Sequence, residues 1–128
     1  MKFINSPAAK ALGRPFSQAV RVGDVLYLSG VLGTKPGTLE LVSGGIEAET
    51  RQTMENIGTV LEENGLGYEH VFKCLVMLSD MALWPAFNEV YLTYFDADRL
   101  PARSAFGTNG LARGALVEVE CMAFAGTS

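Results

Sequence analysis

The chain has 128 residues, of which 48% are hydrophobic and 19% are charged. We therefore expect one folded domain (residues 1–128) and exclude a disordered chain. The net charge of −4 and the scatter of the ten basic residues disfavour a nucleic-acid partner. No apolar run approaches the ~20 residues that cross a bilayer, and the N-terminus lacks a signal-peptide core. The two cysteines lie in apolar runs, which favours reduced thiols in a cytoplasmic protein.

The first third of the chain is predicted to contain a hairpin and a loop. Residues 20–32 place apolar and β-branched residues on both sides of a Gly-Asp pair, which is a hairpin signal. Residues 33–45 are rich in glycine and proline. They are predicted to form a loop that is able to cover a pocket.

A long amphipathic helix is predicted over residues 46–64, because apolar residues recur at helical spacing and Gly65 follows as a stop signal. Its solvent-facing side is expected to consist of Glu47, Glu49, Arg51, Gln52 and Glu55. A strand is predicted next over residues 70–80, and its run at residues 71–78 (VFKCLVML) is almost entirely apolar, which predicts burial on both faces of a sheet.

A second helix is predicted to begin near residues 84–85, since proline suits a first helical turn. Apolar residues recur at helical spacing from Phe87 to Phe95 and are expected to pack on the core. Two strands follow, one with Arg103 and one with Glu118 and Glu120. The order β-β-α-β-α-β-β predicts an α/β fold in which two helices cover one face of a mixed sheet. No helix is left for the other face, so a homo-oligomer is the economical way to cover it.

Arg103 and Glu118 are the candidate functional residues. A guanidinium on a strand among small, apolar neighbours presents a planar fork that matches a carboxylate. Glu118 and Glu120 share a strand face with apolar residues, where desolvation raises the pKa of a carboxyl group and suits it for proton transfer. A structural ion pair explains these residues equally well. No metal site is predicted, because His70 is the only histidine and no cluster has ligand spacing.

Short segments in order along the chain carry motif-like sequences. They are residues 13–19 (GRPFSQA), 27–30 (YLSG), 51–57 (RQTMENI), 88–95 (NEVYLTYF), 101–104 (PARS) and 117–120 (VEVE). Each segment is weakly specific alone. Together they resemble the RidA (YjgF/YER057c/UK114) family of reactive intermediate deaminases, also called endoribonuclease L-PSP, over nearly the whole chain.

The resemblance implies a chorismate-mutase-like (bacillar) α/β fold, a homotrimer with sites at the subunit interfaces, and no cofactor. It implies hydrolysis of 2-imino and 2-enamine acids to 2-keto acids and ammonia. In that scheme Arg103 binds the substrate carboxylate, while Glu118 approaches it across the pocket and positions water or relays protons. The other predicted substrate-binding residues are Phe16, Ser29, Gly30, Asn88 and Ala105.

Two positions depart from the family pattern. Ala105 replaces the signature cysteine and Phe16 replaces the usual tyrosine, so both keep the shape of the site and lose a polar group. Two other functions stay open at this stage. One is a non-catalytic module that binds small keto or amino acids through Arg103. The other is a ribonuclease or translation inhibitor, which the acidic chain disfavours.

Overall fold

The computed structural model describes residues 1–126, in which six strands form one mixed sheet. The strands are β1 (Lys2–Ile4), β2 (Ala19–Val22), β3 (Val25–Leu28), β4 (Val71–Leu78), β5 (Ala102–Gly107) and β6 (Val117–Phe124). Their order across the sheet is β1-β2-β3-β6-β4-β5. The β4–β5 pair is parallel and the other pairs are antiparallel. The predicted α/β class and mixed sheet are confirmed, with β1 added at one edge.

Three α-helices accompany the sheet within the described residues: α1 (Pro7–Ala11), α2 (Gly45–Glu63) and α3 (Trp84–Tyr91). The predicted long helix matches α2 to within one residue at each end. The second helix is also confirmed, with Pro85 in its first turn and Phe87 buried. It ends sooner than its apolar pattern suggests, because Leu92–Tyr94 tightens into a 3₁₀ turn. The short β1 and α1 were not predicted.

The core lies between one face of the sheet and helices α2 and α3. Strand residues that face the helices are buried, and they meet Met54, Ile57 and Leu61 of α2. Cys74 and Cys121 lie directly opposite each other on β4 and β6, with their Sγ atoms 2.8 Å apart. Both are free thiols at the centre of this core, as predicted.

The other face of the sheet has no helix over it. The prediction that β4 is buried on both faces is therefore wrong within one chain, because alternate β4 residues such as Leu75 and Met77 are only partly buried. A bulge at Phe72 exposes 44% of that residue. Other large apolar residues on this outer face are also exposed: Phe3, Val22, Tyr27, Phe106 and Phe124. Several large apolar side chains exposed on one face of a sheet are typical of an interface.

Within residues 1–126, no helix is both long and apolar enough to cross a membrane. The same residues contain no group of three or more His, Cys, Asp or Glu side chains arranged to hold a metal ion.

Glu49 does not lie on the solvent-facing side of α2, and the prediction that it does is wrong. Only 5% of this residue is exposed. Its Oε1 atom accepts a hydrogen bond of 2.7 Å from the backbone N–H of Leu116, just before β6. A buried carboxylate is tolerated when it accepts such bonds. Glu49 therefore joins α2 to the strand that carries Glu118.

We expect Glu49→Ala to lower the free energy of unfolding by about 1.5–3 kcal/mol, because a hydrogen bond to a charged acceptor is lost. Glu47→Ala is the matched control, since Glu47 is an exposed residue of the same helix whose contact with Arg51 is a surface ion pair of 3.5 Å. It should cost no more than about 0.5 kcal/mol. Urea unfolding at one fixed protein concentration measures both, and equal losses would contradict the assigned role.

Candidate active site

A cavity of about 500 Å³ lies between α1, α2, the loop at residues 29–39 and β6. The predicted site residues Phe16, Ser29, Gly30 and Glu118 all line it. The loop predicted over residues 33–45 supplies part of its wall, through Thr34 and residues 36–39. Four of the predicted site residues thus come together although they are far apart in sequence.

Hydrogen bonds hold the segment that carries Phe16 against the end of β3. The Ser29 hydroxyl donates to the Ser17 carbonyl at 2.6 Å, and the Ser29 amide donates to the Gln18 carbonyl at 3.1 Å. The Gln18 amide in turn donates to Oδ1 of Asn5 at 2.9 Å. Ser29 therefore has a structural role, and Phe16, which is 48% exposed, is left as an apolar wall of the cavity.

Asn56 fixes the loop over α2. Its Nδ2 atom donates to the carbonyls of Leu32 at 3.1 Å and Thr34 at 2.8 Å, and its Oδ1 atom accepts from Gln52 at 2.8 Å. Asn56 belongs to the motif-like segment at residues 51–57, and no role was predicted for it. The only signal was the spacing of Gln52 and Asn56, which places both on one side of a helix.

Gly30 lies against the Glu118 carboxylate. Val31 and Val119 exchange backbone hydrogen bonds of 2.8 and 3.1 Å, which aligns the loop with β6. A Cβ atom at residue 30 would overlap Oε2 of Glu118, so only glycine allows this approach. Burial raises the pKa of Glu118, and the negative charge of Glu120 raises it further.

Glu118 forms no ion pair with a Lys or Arg side chain within residues 1–126, although a carboxylate with a purely structural role is expected to have such a partner. The ion pairs that Lys and Arg side chains form within residues 1–126 are Lys35–Glu40 and Glu47–Arg51. A carboxyl group with a raised pKa, without a cation beside it and facing a cavity, is a candidate for holding and releasing a proton during a reaction.

Arg103 lies elsewhere, on the face of β5 that the helices cover. It is in register with the buried Cys74 of β4. Its guanidinium carbon is 4.8 Å from the ring centroid of Tyr91, 5.8 Å from that of Phe87 and 5.9 Å from that of Trp84. Contacts of a cation with aromatic faces are favourable and fix the plane of the guanidinium. The N–H groups at its edge stay available to an anion.

Asn88 and Ala105 accompany Arg103. Ala105 follows Arg103 by two residues, so it lies on the same face of β5, and it packs against the core. Asn88 lies one turn after Trp84 on α3 and so on the side of the helix that meets Arg103. Its Oδ1 atom is buried and accepts no hydrogen bond from residues 1–126. It therefore offers an acceptor to a ligand or a neighbouring chain.

Arg103 and Glu118 do not meet within one chain. Glu118 is in register with Met77 and faces the open side of the sheet, whereas Arg103 faces the helices. Strand β4 also separates β5 from β6. The predicted residues thus form two half-sites. Phe16, Ser29, Gly30 and Glu118 form the cavity half-site, and Asn88, Arg103 and Ala105 form the arginine half-site.

Comparison with known proteins matches residues 4–125 to the family described as Endoribonuclease L-PSP. The chain is 40% identical over 125 residues to the 2-iminobutanoate/2-iminopropanoate deaminase of Mus musculus, which covers 98% of this chain and 92% of that protein. Among solved structures, RidA from the Antarctic bacterium Psychrobacter sp. PAMC 21119 has a TM-score of 0.87 at 35% identity, covering 97% and 99% of the two chains. E. coli TdcF with bound serine has a TM-score of 0.79 at 26% identity, covering 87% and 88%.

Gly30→Ala is expected to displace the Glu118 carboxylate, since the added Cβ occupies the place of Oε2. Moved towards solvent, the carboxylate regains hydration, and its pKa should fall towards that of an exposed glutamate. A ¹³C NMR titration of the Glu118 carboxyl carbon in both proteins measures this change, with the melting temperature as a check on folding. An unchanged pKa in a folded variant would contradict the described contact.

Proposed function

The chain belongs to the endoribonuclease L-PSP family, and from that membership together with its cavity we propose that it is a deaminase. It hydrolyses reactive 2-imino acids, and the 2-enamine acids that tautomerise to them, to 2-keto acids and ammonia. The relative from Mus musculus is named for this activity on 2-iminobutanoate and 2-iminopropanoate. The observation that carries the proposal is the Glu118 carboxyl group, which faces the cavity with a raised pKa.

Glu118 moves the protons of the reaction. In its acid form it protonates the imine nitrogen, which makes C2 more electrophilic. Water then adds to C2, and the Glu118 carboxylate accepts a proton from that water. The same proton passes to nitrogen, the new hydroxyl gives up its own proton to Glu118, and the C–N bond breaks as the C=O bond forms. Ammonia leaves, and Glu118 ends in its acid form.

Arg103 binds the carboxylate of the substrate. Its guanidinium is held on three aromatic rings, so two parallel hydrogen bonds to a carboxylate need little reorganisation. The unpartnered Oδ1 of Asn88 is an acceptor for the N–H of the imine. A carboxylate bound here orients C2 for the addition of water, for which Glu118 supplies the proton transfers.

One substrate molecule can contact both half-sites only if the two half-sites belong to different chains of an oligomer. The arginine half-site of one subunit faces the cavity half-site of the next, in a homotrimer with three such interfaces. Two observations support this arrangement: the half-sites lie on opposite faces of one sheet, and the outer face is apolar and uncovered. The number three rests on the resemblance to the RidA family.

A second candidate function is a module that binds small amino or keto acids without turnover. The solved structure of E. coli TdcF, which contains bound serine, favours it. Arg103 and the cavity serve either function. Release of ammonia from an imino acid that an amino-acid oxidase produces in the cuvette separates the two, because a binding module releases none above the spontaneous rate.

Glu118→Gln keeps the shape of the side chain and removes its exchangeable proton. We expect the rate of imine hydrolysis to fall by roughly 10²-fold or more, the usual contribution of general acid–base catalysis. The wild-type rate should also decline as the pH rises above the pKa of Glu118, and this decline should be absent from the variant. Glu120→Gln is the matched control on the same strand face, and it should change the rate little. The reverse pattern would assign the role to Glu120.

Arg103→Ala is expected to abolish turnover, because an aliphatic side chain cannot pair with a carboxylate. A shared site is tested by co-expressing two inactive variants with different tags. One variant is Arg103→Ala and the other is Glu118→Gln. Hybrid trimers isolated through both tags should recover about a third of wild-type activity, since one interface in each pairs an intact Arg103 with an intact Glu118.

Light scattering should give the mass of three chains for the wild type, for each parent variant and for the hybrids. A stable monomer at micromolar concentration would contradict the shared site. Hybrids that are as inactive as both parent proteins would contradict it as well.

A further inference from the structure

Arg14 is a charged residue of the cavity that the proposed reaction does not use. The charged side chains lining the cavity are those of Arg14, Glu63, Arg113 and Glu118. Glu63 and Arg113 are exposed, whereas Arg14 is partly buried in the segment that precedes Phe16. Arg14 forms no ion pair with an Asp or Glu side chain within residues 1–126.

The geometry of Arg14 suits an anion. Its guanidinium carbon lies 5.0 Å from the ring centroid of Phe16. A guanidinium stacked on an aromatic face keeps its in-plane N–H groups free to form two parallel hydrogen bonds with a carboxylate. The Nε atom is buried and donates no hydrogen bond to residues 1–126. The terminal Nη groups also form no hydrogen bond within residues 1–126 and, unlike Nε, they are not fully buried, so they are the donors that remain for a ligand in the cavity.

The cavity has room for a ligand larger than a simple imino acid. 2-Iminobutanoate has seven non-hydrogen atoms, which at about 30 Å³ for a water-sized group fill roughly 200 Å³. The cavity measures about 500 Å³. Arg14 and Glu118 both line this cavity.

We propose that Arg14 is a specificity-determining residue that binds a second carboxylate, at the end of the substrate's side chain. The preferred substrates are then imines of four- and five-carbon dicarboxylic amino acids. This inference rests on the proposed deaminase function, because it uses the same cavity and leaves the chemistry at C2 unchanged. Arg103 holds the carboxylate beside C2, and Arg14 holds the distal one.

The test compares one dicarboxylic and one monocarboxylic substrate. 2-Iminoglutarate and 2-iminobutanoate are formed in the cuvette by oxidation of the matching amino acids, and kcat/KM is measured for each. Arg14→Met should lower the ratio of the dicarboxylic to the monocarboxylic kcat/KM by about 10- to 100-fold, the range expected when a charge-assisted hydrogen bond is lost. Arg14→Lys, which keeps a point charge, should retain most of the ratio.

Binding of the products gives a readout that does not depend on catalysis. Calorimetry with 2-oxoglutarate and 2-oxobutanoate should show the same loss of preference in Arg14→Met. Lys10→Met is the matched control, because it removes the same charge from an exposed residue of α1 that does not line the cavity. It should leave both ratios within about twofold of the wild type, since exposed charges act weakly at a distance.

Several outcomes would overturn the role of Arg14. They are an equal loss for both substrates, a loss of the same size in Lys10→Met, a change of assembly in Arg14→Met, and a wild type that hydrolyses only 2-iminobutanoate. Each of these leaves the deaminase function standing. A wild type that hydrolyses neither imine would instead count against the proposed function itself.

Discussion

The sheet carries helices on one face only, and this constraint determines where each functional side chain lies. Side chains alternate along a strand, so a residue on β5 or β6 faces either the helices or the open side. Arg103 has the first orientation and Glu118 the second. The core, the exposed apolar surface and the division of the site into two half-sites all follow from this single arrangement.

The chemistry of Glu118 depends on how closely the backbone approaches it. The pairing of Val31 with Val119 places Gly30, which has no side chain, over the carboxylate. Asn56 holds the loop that follows, and Glu49 ties α2 to the start of β6. None of these residues needs to touch a substrate. Their combined effect is to remove water from one carboxyl group, which is what favours its protonated form.

Local patterns in the sequence were sufficient to predict most of the helices and strands. The hairpin, α2 and α3 each have an apolar period that predicts the element. The apolar run of β4 predicted the strand, but it did not reveal that one face of the strand is only partly buried. Glu49 was misplaced because its partner is a backbone amide 67 residues away, which no local pattern reveals. A charged residue in an amphipathic helix is usually exposed, and burial is the exception.

The sequence suggested candidate site residues, but it did not predict how they are arranged. Local patterns pointed to Arg103 and Glu118, and the resemblance to a family supplied their expected roles and the residues around them. Whether the two residues share one face depends on the register of β4 with both neighbours, and that register is set by pairing across the whole sheet. The role of Asn56 was missed for a related reason, since it depends on contacts with residues 22 and 24 positions away along the chain.

The paired thiols at the centre of the sheet have a practical consequence. Cys74 and Cys121 are the two cysteines of the chain, and both are fully buried between β4 and β6. Their side chains belong to the core that α2 and α3 cover, so an alkylating reagent reaches them only when these helices separate from the sheet and the core opens. The rate of alkylation in native buffer therefore reports opening of the core without any denaturant.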